Sequence, residues 1–420
     1  MNTVVGMSKK CSGVIRPSFG GHTISMWVLV SAFAFFLPHA SAQTYSVIHD
    51  FSGCSDGDTP TSTLIWDRAG NLYGSTEYGG VHCSYDNDGV VFQLKRGPAG
   101  WTLHPLQDFN QDQLYFPLNY GGLSFGPDGN LYGTTQQSHS SGCCGVVFRL
   151  QPPPRSCTSF LCPWSLTIQH EFNGSDGELP GGKVIFDAAG NLFGTTSEGG
   201  ANDSGMVFEL SPSNGSWTES ILYNFFGFSF VQAGVVMDSA GNLYGSAPYN
   251  AGGQGVIYEL SPTASGWVEH DLYRFAGPDG ANPIGGLVLD QAGNLYGTTS
   301  HGGSGGGGTL FQLAHSGGNW MLTTFCNFGG NGGPQSPLTM DAAGNLYGTT
   351  QYDGHGAGSV FKATRFGNTW TCSDLYRFEI GANGQAPIGG VTLDANSNLY
   401  GTTSAGGAYG AGVIWEITPN

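Results

Sequence analysis

GLVLDQAGNLYGTT, residues 286–299, is the stretch that decides the fold. Two runs of apolar and β-branched residues flank Asp290-Gln291-Ala292-Gly293-Asn294, where Gly and Asn tolerate positive φ and Asp accepts a backbone N–H. This pattern predicts two antiparallel strands joined by a tight turn. Its asparagine recurs at steps of 59, 61, 51, 52, 51 and 53 residues, at Asn71, Asn130, Asn191, Asn242, Asn294, Asn345 and Asn398. Such a period is typical of one supersecondary unit copied in tandem.

Each repeat continues with two further strand patterns. After a glycine-rich loop, Ser300 to Gly308, comes Thr309 to Leu313, and a polar turn then leads to Trp320 to Phe328. The fourth strand opens with a tryptophan in six repeats, at Trp101, Trp164, Trp217, Trp267, Trp320 and Trp370. No segment of the repeats shows a helical pattern. Each repeat is therefore predicted to be a four-stranded antiparallel sheet whose recurring aromatic residues belong to the core.

The number of fourth strands indicates how the repeats are arranged. Seven copies contain the first three strands, but only six fourth strands follow a third strand. The segment from Tyr45 to Phe51 matches the missing strand, and its Asp50-Phe51 is similar to Asp108-Phe109. Pairing with the last repeat would close a ring and cover two sheet edges, whereas an open solenoid needs polar capping repeats that are not visible. We predict an all-β, seven-bladed β-propeller over residues 43–420, closed by the N-terminal strand.

Asp-x-x-Gly-Asn-Leu-Tyr-Gly-Thr-Thr, followed by Gly-Gly and Gly-x-Val-Phe-x-Leu, resembles the GloVer tandem repeat of secreted bacterial proteins described as having a choice of anchor. The resemblance covers almost all of residues 44–418. It is loosest in the second repeat, where Asp128 shifts the turn acid, and in the fourth, where Ser246-Ala247 replaces the Thr pair. The resemblance implies export and a propeller-like body, without an established reaction. Family members often carry an anchoring segment after the repeats, and none is expected after the last strand here.

The first 42 residues have the three parts of a secretory signal peptide. Lys9, Lys10 and Arg16 precede an uncharged, mostly apolar stretch of 14 residues, 24–37, and Ala40-Ser41-Ala42 is a small-x-small cleavage signature. A helix of that length rises only about 21 Å, which is too short for a membrane anchor. We predict cleavage near Ala42-Gln43 and a secreted protein, extracellular or periplasmic, with no membrane span in the processed chain.

The charge of the chain bears on its partners. The formal net charge is −17, and residues 1–42 hold three of the 13 basic residues and no acidic one, so the remainder carries −20. Such a body is repelled by nucleic acid and by anionic membranes, and we predict that it binds neither. Solubility outside the cell explains the acidity more directly than a preference for cations or basic partners. We expect a monomer.

The loops that enter the blades are rich in carboxylates. In a propeller these loops emerge on one face with the loops between second and third strands, near the central channel where ligands bind. Their acidic residues are weak calcium candidates, since calcium prefers several oxygen ligands: Asp56, Asp58, Asp176, Glu178 and Asp279. Asp-Gly before Pro is also ordinary turn chemistry. We favour turns and predict no cofactor, with calcium as the alternative.

A second set of candidates lies in the loops between second and third strands. Histidine and carboxylate together can hold a metal or transfer protons, and the ligand-face candidates are His82, His139, His301, His355, Glu77, Glu198, Asp203 and Asp353. Each lies in its own blade or at its own loop position, which argues against a compact site. We interpret His49, His170 and His270, on outer strands, as packing or edge residues. Because no nucleophile, zinc-protease or phosphate-loop motif is present, no catalytic residue is assigned.

The cysteines favour an oxidising compartment. Eight remain after residue 42, an even number. Candidate local disulfides are the pairs Cys54–Cys83, Cys157–Cys162 and Cys143–Cys144, and the last two cysteines could also remain as thiols. Cys326 and Cys372 lie on outer strands of different blades, at different heights, and we expect both to be free.

Three functional classes remain open. The first is a secreted, non-catalytic propeller that binds an extracellular glycan, peptide or surface partner, and it is favoured because repeats dominate the chain. The second is an exported lyase or hydrolase with its site at the central channel, by fold-level analogy alone. The third is a structural element of the envelope or matrix. Convergent polar residues at one end of the channel would favour an enzyme, whereas seven similar loop ends would favour a scaffold.

Overall fold

The computed structural model describes residues 43–80, 89–109, 122–136, 144–154, 162–227, 230–249, 253–330, 332–352, 356–367 and 369–419. These residues form seven antiparallel sheets, six with four strands and the first with a fifth, Asp58–Pro60. The sheets are the blades of a seven-bladed β-propeller, as the repeats predict. Over the same ranges no helix is long and apolar enough to cross a membrane.

Strand bounds follow the repeat closely. The innermost strands are Ile65–Trp66, Ser124–Phe125, Glu178–Phe186, Val236–Met237, Val288–Leu289, Thr339–Met340 and Thr392–Leu393. The second strands are Leu72–Tyr78, Leu131–Thr135, Leu192–Glu198, Leu243–Ala247, Leu295–Thr299, Leu346–Thr350 and Leu399–Thr403. The third strands are Gly89–Gly97, Val146–Gln151, Met206–Ser213, Val256–Thr263, Gly306–Ser316, Ser359–Phe366 and Val413–Thr418. The outermost strands are Gly100–Phe109, Ser165–Glu171, Ser216–Asn224, Gly266–Arg274, Asn319–Gly329, Thr369–Arg377 and Thr44–Asp50.

The turn between the first two strands is held by its aspartate. Asp290 Oδ1 accepts the backbone N–H groups of Ala292 and Asn294 at 2.9 and 2.8 Å. Its Oδ2 accepts the Asn294 amide at 2.8 Å and the Tyr296 hydroxyl at 3.1 Å. In the second blade the shifted Asp128 still accepts from Asn130 and from the Tyr132 hydroxyl. The turn therefore tolerates movement of the acid by two residues.

The glycine of Leu-Tyr-Gly makes room for an aromatic ring. A Cβ on Gly297 would lie 2.6 Å from Cζ of Phe311, which belongs to the paired third strand. The same glycine faces the equivalent aromatic side chain in the other six blades, Phe92, Phe148, Phe208, Tyr258, Phe361 and Trp415. The repeat therefore keeps glycine at this position because the neighbouring strand fills the space with a ring.

The core is divided among the interfaces between neighbouring blades. One cluster joins Tyr244 and Ile257 of the fourth blade to Leu295 and Phe311 of the fifth. The outer-strand tryptophans also lie at these interfaces. Trp320, for example, meets the ring of Tyr244 at a centroid distance of 6.3 Å. Each blade thus buries both of its faces against its two neighbours. A ring of blades gives every blade two such neighbours.

The N-terminal strand completes the seventh blade, as the count of fourth strands predicts. Tyr45 pairs with Ile417, Val47 with Trp415 and Asp50 with Val413, in antiparallel register. Further bonds join the seventh blade to the first, including one from the Trp66 indole to the carbonyl of Leu393 at 3.0 Å. The ring is closed both by strand pairing and by this last interface.

Cys326 and Cys372 form a disulfide, which corrects the expectation that both are free. Their Cα atoms are 6.2 Å apart. Outer strands of neighbouring blades cross because the blades twist, so the end of one strand lies against the beginning of the next. The rings of Phe325 and Trp370 stack at 4.5 Å at the same crossing. Residues that differ in height along their own strands therefore meet.

Three further cysteines, Cys54, Cys144 and Cys162, are disulfide-bonded. Their expected partners Cys83, Cys143 and Cys157 lie outside the described residues. The three local pairings stay predictions.

Candidate functional site

A cavity of about 320 Å³ lies where the innermost strands of all seven blades converge. Most of its lining is aliphatic, with side chains such as Ile65, Val235, Ile284 and Ile388. Polar contributions come from hydroxyl and amide groups, on Thr61, Thr63, Gln232, Gln335, Ser336, Thr339 and Thr392. Among the described residues that line this channel, Lys183 is the one that carries charge.

Lys183 lies at a narrow ring formed by one residue from each blade. Its position is eight residues before the repeat asparagine Asn191, and the other blades place Thr63, Gly122, Gly234, Gly286, Pro337 and Gly390 there. Neighbouring members of this ring touch: the Gly390 N–H donates to Thr63 Oγ1 at 2.9 Å, and a Cβ on Gly122 would lie 3.2 Å from Cβ of Lys183. Six small or compact residues therefore leave the space that the lysine side chain enters.

The ammonium group of Lys183 is in a costly environment. The side chain is open to the water of the channel, yet protein surrounds it, and this burial lowers the pKa of Lys183. No carboxylate among the described residues offsets the burial. An unpaired cation in a largely apolar channel attracts an anionic group more strongly than one in bulk water.

Sequence reasoning missed Lys183 because the repeats were compared for what they share. The signal was present in the differences. Once the blades are aligned on the repeat asparagine, a lysine stands where six other copies carry Gly, Thr or Pro.

Of the four histidines predicted to lie on the ligand face, His301 is the one within the described residues. Its backbone exchanges two hydrogen bonds with Ala281 of the loop entering the same blade, at 2.7 and 3.1 Å. Its exposed ring contacts Ser300 Oγ through Nδ1 at 2.9 Å. The other predicted residues of this set, His82, His139, His355 and Asp353, lie outside the described residues.

The carboxylates of the third blade lie near one another. Glu178 and Glu198 are cross-strand partners. Burial, together with the charges of Glu198 and Asp203, raises the pKa of Glu178. Asp203 also closes a local turn, because its Oδ1 accepts the N–H of Gly199 at 3.3 Å. In the first blade, burial raises the pKa of Tyr78, with smaller contributions from Glu77 and Asp58. Asp58 lies opposite Tyr78 and accepts the Thr59 hydroxyl at 2.9 Å.

Asp56, Asp176 and Asp279 make the contacts of loop-closing turns. Each accepts a backbone N–H just after the outermost strand, from Ser52, Asn173 and Ala276 respectively. Each also reaches a side chain of that strand, namely His49 at 3.1 Å, His170 at 3.5 Å and the Tyr273 hydroxyl at 2.5 Å. Calcium at these loops stays the alternative to the predicted turns.

Several solved structures are similar to this one at low sequence identity. An extracellular domain assigned to a one-component system of B. thetaiotaomicron is 13% identical with a TM-score of 0.54, over 90% of this chain and 42% of that chain. PorZ, a surface component of the type-IX secretion system of Porphyromonas gingivalis, is 12% identical with a TM-score of 0.51, over 85% of this chain and 46% of that chain. An oxidoreductase of the glucose dehydrogenase type from Thermus thermophilus is 13% identical with a TM-score of 0.46, over 90% of this chain and all of that chain.

This chain spans less than half the length of the first two of these proteins, and likeness at such identity shows the fold alone. No curated protein matches the sequence. A family model does match, described as the Gloeobacter/Verrucomicrobia repeat, over residues 162–291 and 231–420. These matches together cover more than half of the chain, and the repeats they cover build the blades described above. The chain belongs to the Gloeobacter/Verrucomicrobia repeat family.

Proposed function

We propose that this protein is an exported binding propeller whose channel takes a ligand with a carboxylate group, most simply an acidic peptide segment. The observation that carries the proposal is Lys183, a lone cation in a channel otherwise lined by aliphatic, hydroxyl and amide groups. A carboxylate there would gain a charge-assisted hydrogen bond with the ammonium group, which protein surrounds on several sides.

The rest of the channel fits the same class of ligand. Its volume of about 320 Å³ lies at the lower end of the range for small-ligand pockets. Ile284 and Ile388 supply apolar wall, while Gln232 and Gln335 supply donors and acceptors. The aliphatic part of these walls suits the methylene groups of an acidic side chain in a peptide.

Binding is favoured over catalysis by what surrounds Lys183. General acid–base or nucleophilic catalysis needs two or three groups within hydrogen-bond reach. Among the described lining residues Lys183 is the single titratable side chain. A single ammonium group can bind an anionic ligand without a second titratable side chain.

Export is supported by the cysteines and by the N-terminal pattern. Disulfides such as Cys326–Cys372 persist in oxidising compartments. The signal-peptide pattern of residues 1–42 and the acidic composition agree with this location. We propose that the processed protein acts outside the cytoplasm.

The test is binding by isothermal titration calorimetry, with acidic and amide-capped versions of the same short peptides and with acidic and neutral oligosaccharides. Lys183→Gln should weaken binding of the carboxylate ligand by about tenfold or more, since a lost charged hydrogen bond is worth about 1.5–3 kcal/mol. Lys362→Gln is the matched control, because Lys362 lies over the Tyr347 ring on a third strand, away from the channel. Equal binding by Lys183→Gln, or preference for uncharged ligands, would contradict the proposal.

A further inference from the structure

The outer strands of the second and third blades bring three metal-binding side chains together. His170, Asp176 and Glu219 each offer a ligand atom, and these atoms all lie within 4.8 Å of one another. They form the one such group within the described residues. His170 Nε2 is 3.5 Å from Asp176 Oδ2 and 3.8 Å from Glu219 Oε2.

These distances suit a shared cation better than direct hydrogen bonds. Zinc bound by imidazole and carboxylate at about 2.0–2.1 Å in tetrahedral geometry places its ligand atoms about 3.3 Å apart. Nε2 of His170 and Oε1 of Glu219 are both buried and make no hydrogen bond. Buried polar atoms without partners are rare in folded proteins and call for an explanation.

The equivalent place between the seventh and first blades supplies an internal comparison. His49 and Asp56 correspond to His170 and Asp176, but Leu103 stands where Glu219 would be, two residues after the tryptophan of the next outer strand. There His49 Nε2 bonds directly to Asp56 Oδ2 at 3.1 Å. At the crossing that also carries Glu219, the corresponding distance from His170 Nε2 to Asp176 Oδ2 is longer, 3.5 Å.

The positions of His170 and Glu219 are occupied by the disulfide-bonded cysteines where the fifth and sixth blades meet. His170 and Cys326 both lie two residues before the phenylalanine of the repeat, Phe172 and Phe328, and Glu219 and Cys372 both lie two residues after the tryptophan. The register agrees, since Glu219 pairs with Leu210 and Cys372 with the equivalent Ala363. This crossing is therefore a place where the protein links neighbouring blades.

We infer that His170, Asp176 and Glu219 bind a zinc-class divalent cation that links the second blade to the third. The set contains an imidazole, which suits zinc, nickel or copper, whereas calcium and magnesium prefer oxygen ligands alone. Three protein ligands leave a fourth position open to water. Because the cation joins residues of both blades, it stabilises their interface.

The experiment uses untagged, EDTA-treated protein, to which zinc chloride is added. We expect the described cluster to account for one zinc ion per chain by calorimetry and elemental analysis, with a rise in Tm, and no comparable rise with calcium. Loss of a group that only hydrogen-bonds to a metal ligand already costs about 10–100-fold in metal affinity, and loss of a direct ligand should cost at least as much. Glu219→Leu, which copies the natural Leu103, should therefore weaken this zinc binding by about 100-fold or more and abolish the Tm rise.

Two further variants make the test decisive. His49→Ala should leave zinc binding unchanged, because the pair with Asp56 lacks a third ligand. Leu103→Glu should add one more zinc ion per chain at the crossing of the seventh and first blades. Failure of the wild-type protein to bind zinc, or full binding by both Glu219→Leu and His170→Gln with circular dichroism showing folded protein, would overturn the inference.

Discussion

Asp290 shows how one side chain organises a turn. It accepts two backbone N–H groups through Oδ1 and two side-chain donors through Oδ2, from Asn294 and Tyr296. The side-chain and backbone hydrogen bonds of Asn294, with that of the Tyr296 hydroxyl, lower the pKa of Asp290 and outweigh the opposing effect of burial. The same arrangement lowers the pKa of the equivalent turn aspartates Asp67, Asp238 and Asp341.

Asp290→Asn should lower the free energy of unfolding at pH 7 by about 1–3 kcal/mol, because the new amide turns a donor toward two other donors. A lowered folded-state pKa means that the stabilisation is present above the unfolded value, near 3.8, and is lost as pH falls through the folded value. The difference between variant and wild type should therefore shrink between pH 5 and pH 2. Urea denaturation across that range measures it. A difference that stays constant would show that the carboxylate charge plays no part.

At the residue scale, Lys183 matters for the opposite reason, because it breaks the repeat. Lys183 replaces Gly, Thr or Pro, whereas the position of Glu219 holds Leu103, Leu166 and Leu322 in three other blades, Glu269 in the fourth blade and Cys372 in the sixth. Burial and the nearby Asp176 raise the pKa of Glu219 to about 8. Departures from a repeat indicate function better than the repeat itself does.

At the scale of the strand, the second strand makes contacts both within its own blade and with the next blade. Its glycine admits the aromatic ring of the third strand, and in three blades its first threonine donates a hydrogen bond to the next blade. Thr195 Oγ1, for example, donates to the carbonyl of Ala233 at 3.0 Å, and Thr349 Oγ1 donates to that of Gly389 at 3.1 Å. Leu-Tyr-Gly-Thr-Thr thus packs within its own blade and fastens it to the following one.

Gly297→Ala should lower the free energy of unfolding by about 1–3 kcal/mol, since its Cβ would lie 2.6 Å from Phe311 and 2.9 Å from Leu287. The variant Gly329→Ala is the control, because a Cβ there meets nothing within 4 Å. Adding Phe311→Leu to Gly297→Ala should cost less than the two single changes together, because the smaller side chain vacates the space. Thermal or urea unfolding measures all four proteins. Strict additivity would contradict the packing explanation.

At the scale of the whole molecule, stability depends on closure. The strand Thr44–Asp50 covers the edge of Val413–Thr418, and Phe51, fully buried, packs in the interface between the seventh and first blades. An uncovered edge of this kind pairs readily with other chains.

A chain that begins at Ser52 should aggregate and lose its single cooperative unfolding transition, because the Val413–Thr418 edge and one interface are then exposed. A chain that begins at Gln43 is the control and should behave as the processed protein. Light scattering and calorimetry distinguish the two. If the shorter chain remains monomeric with an unchanged Tm, closure by this strand is not what holds the ring together.

The sequence by itself determined the number of blades, the order of their strands and the closing strand, because every copy repeats the same local turn and packing chemistry. It also determined the family. Only the tertiary structure decided which distant residues meet. The Cys326–Cys372 disulfide and the group of His170, Asp176 and Glu219 depend on how neighbouring blades twist and cross, and the surroundings of Lys183 depend on how the innermost strands converge on the channel. Periodicity describes what each blade has in common, and these contacts form between residues that the period separates.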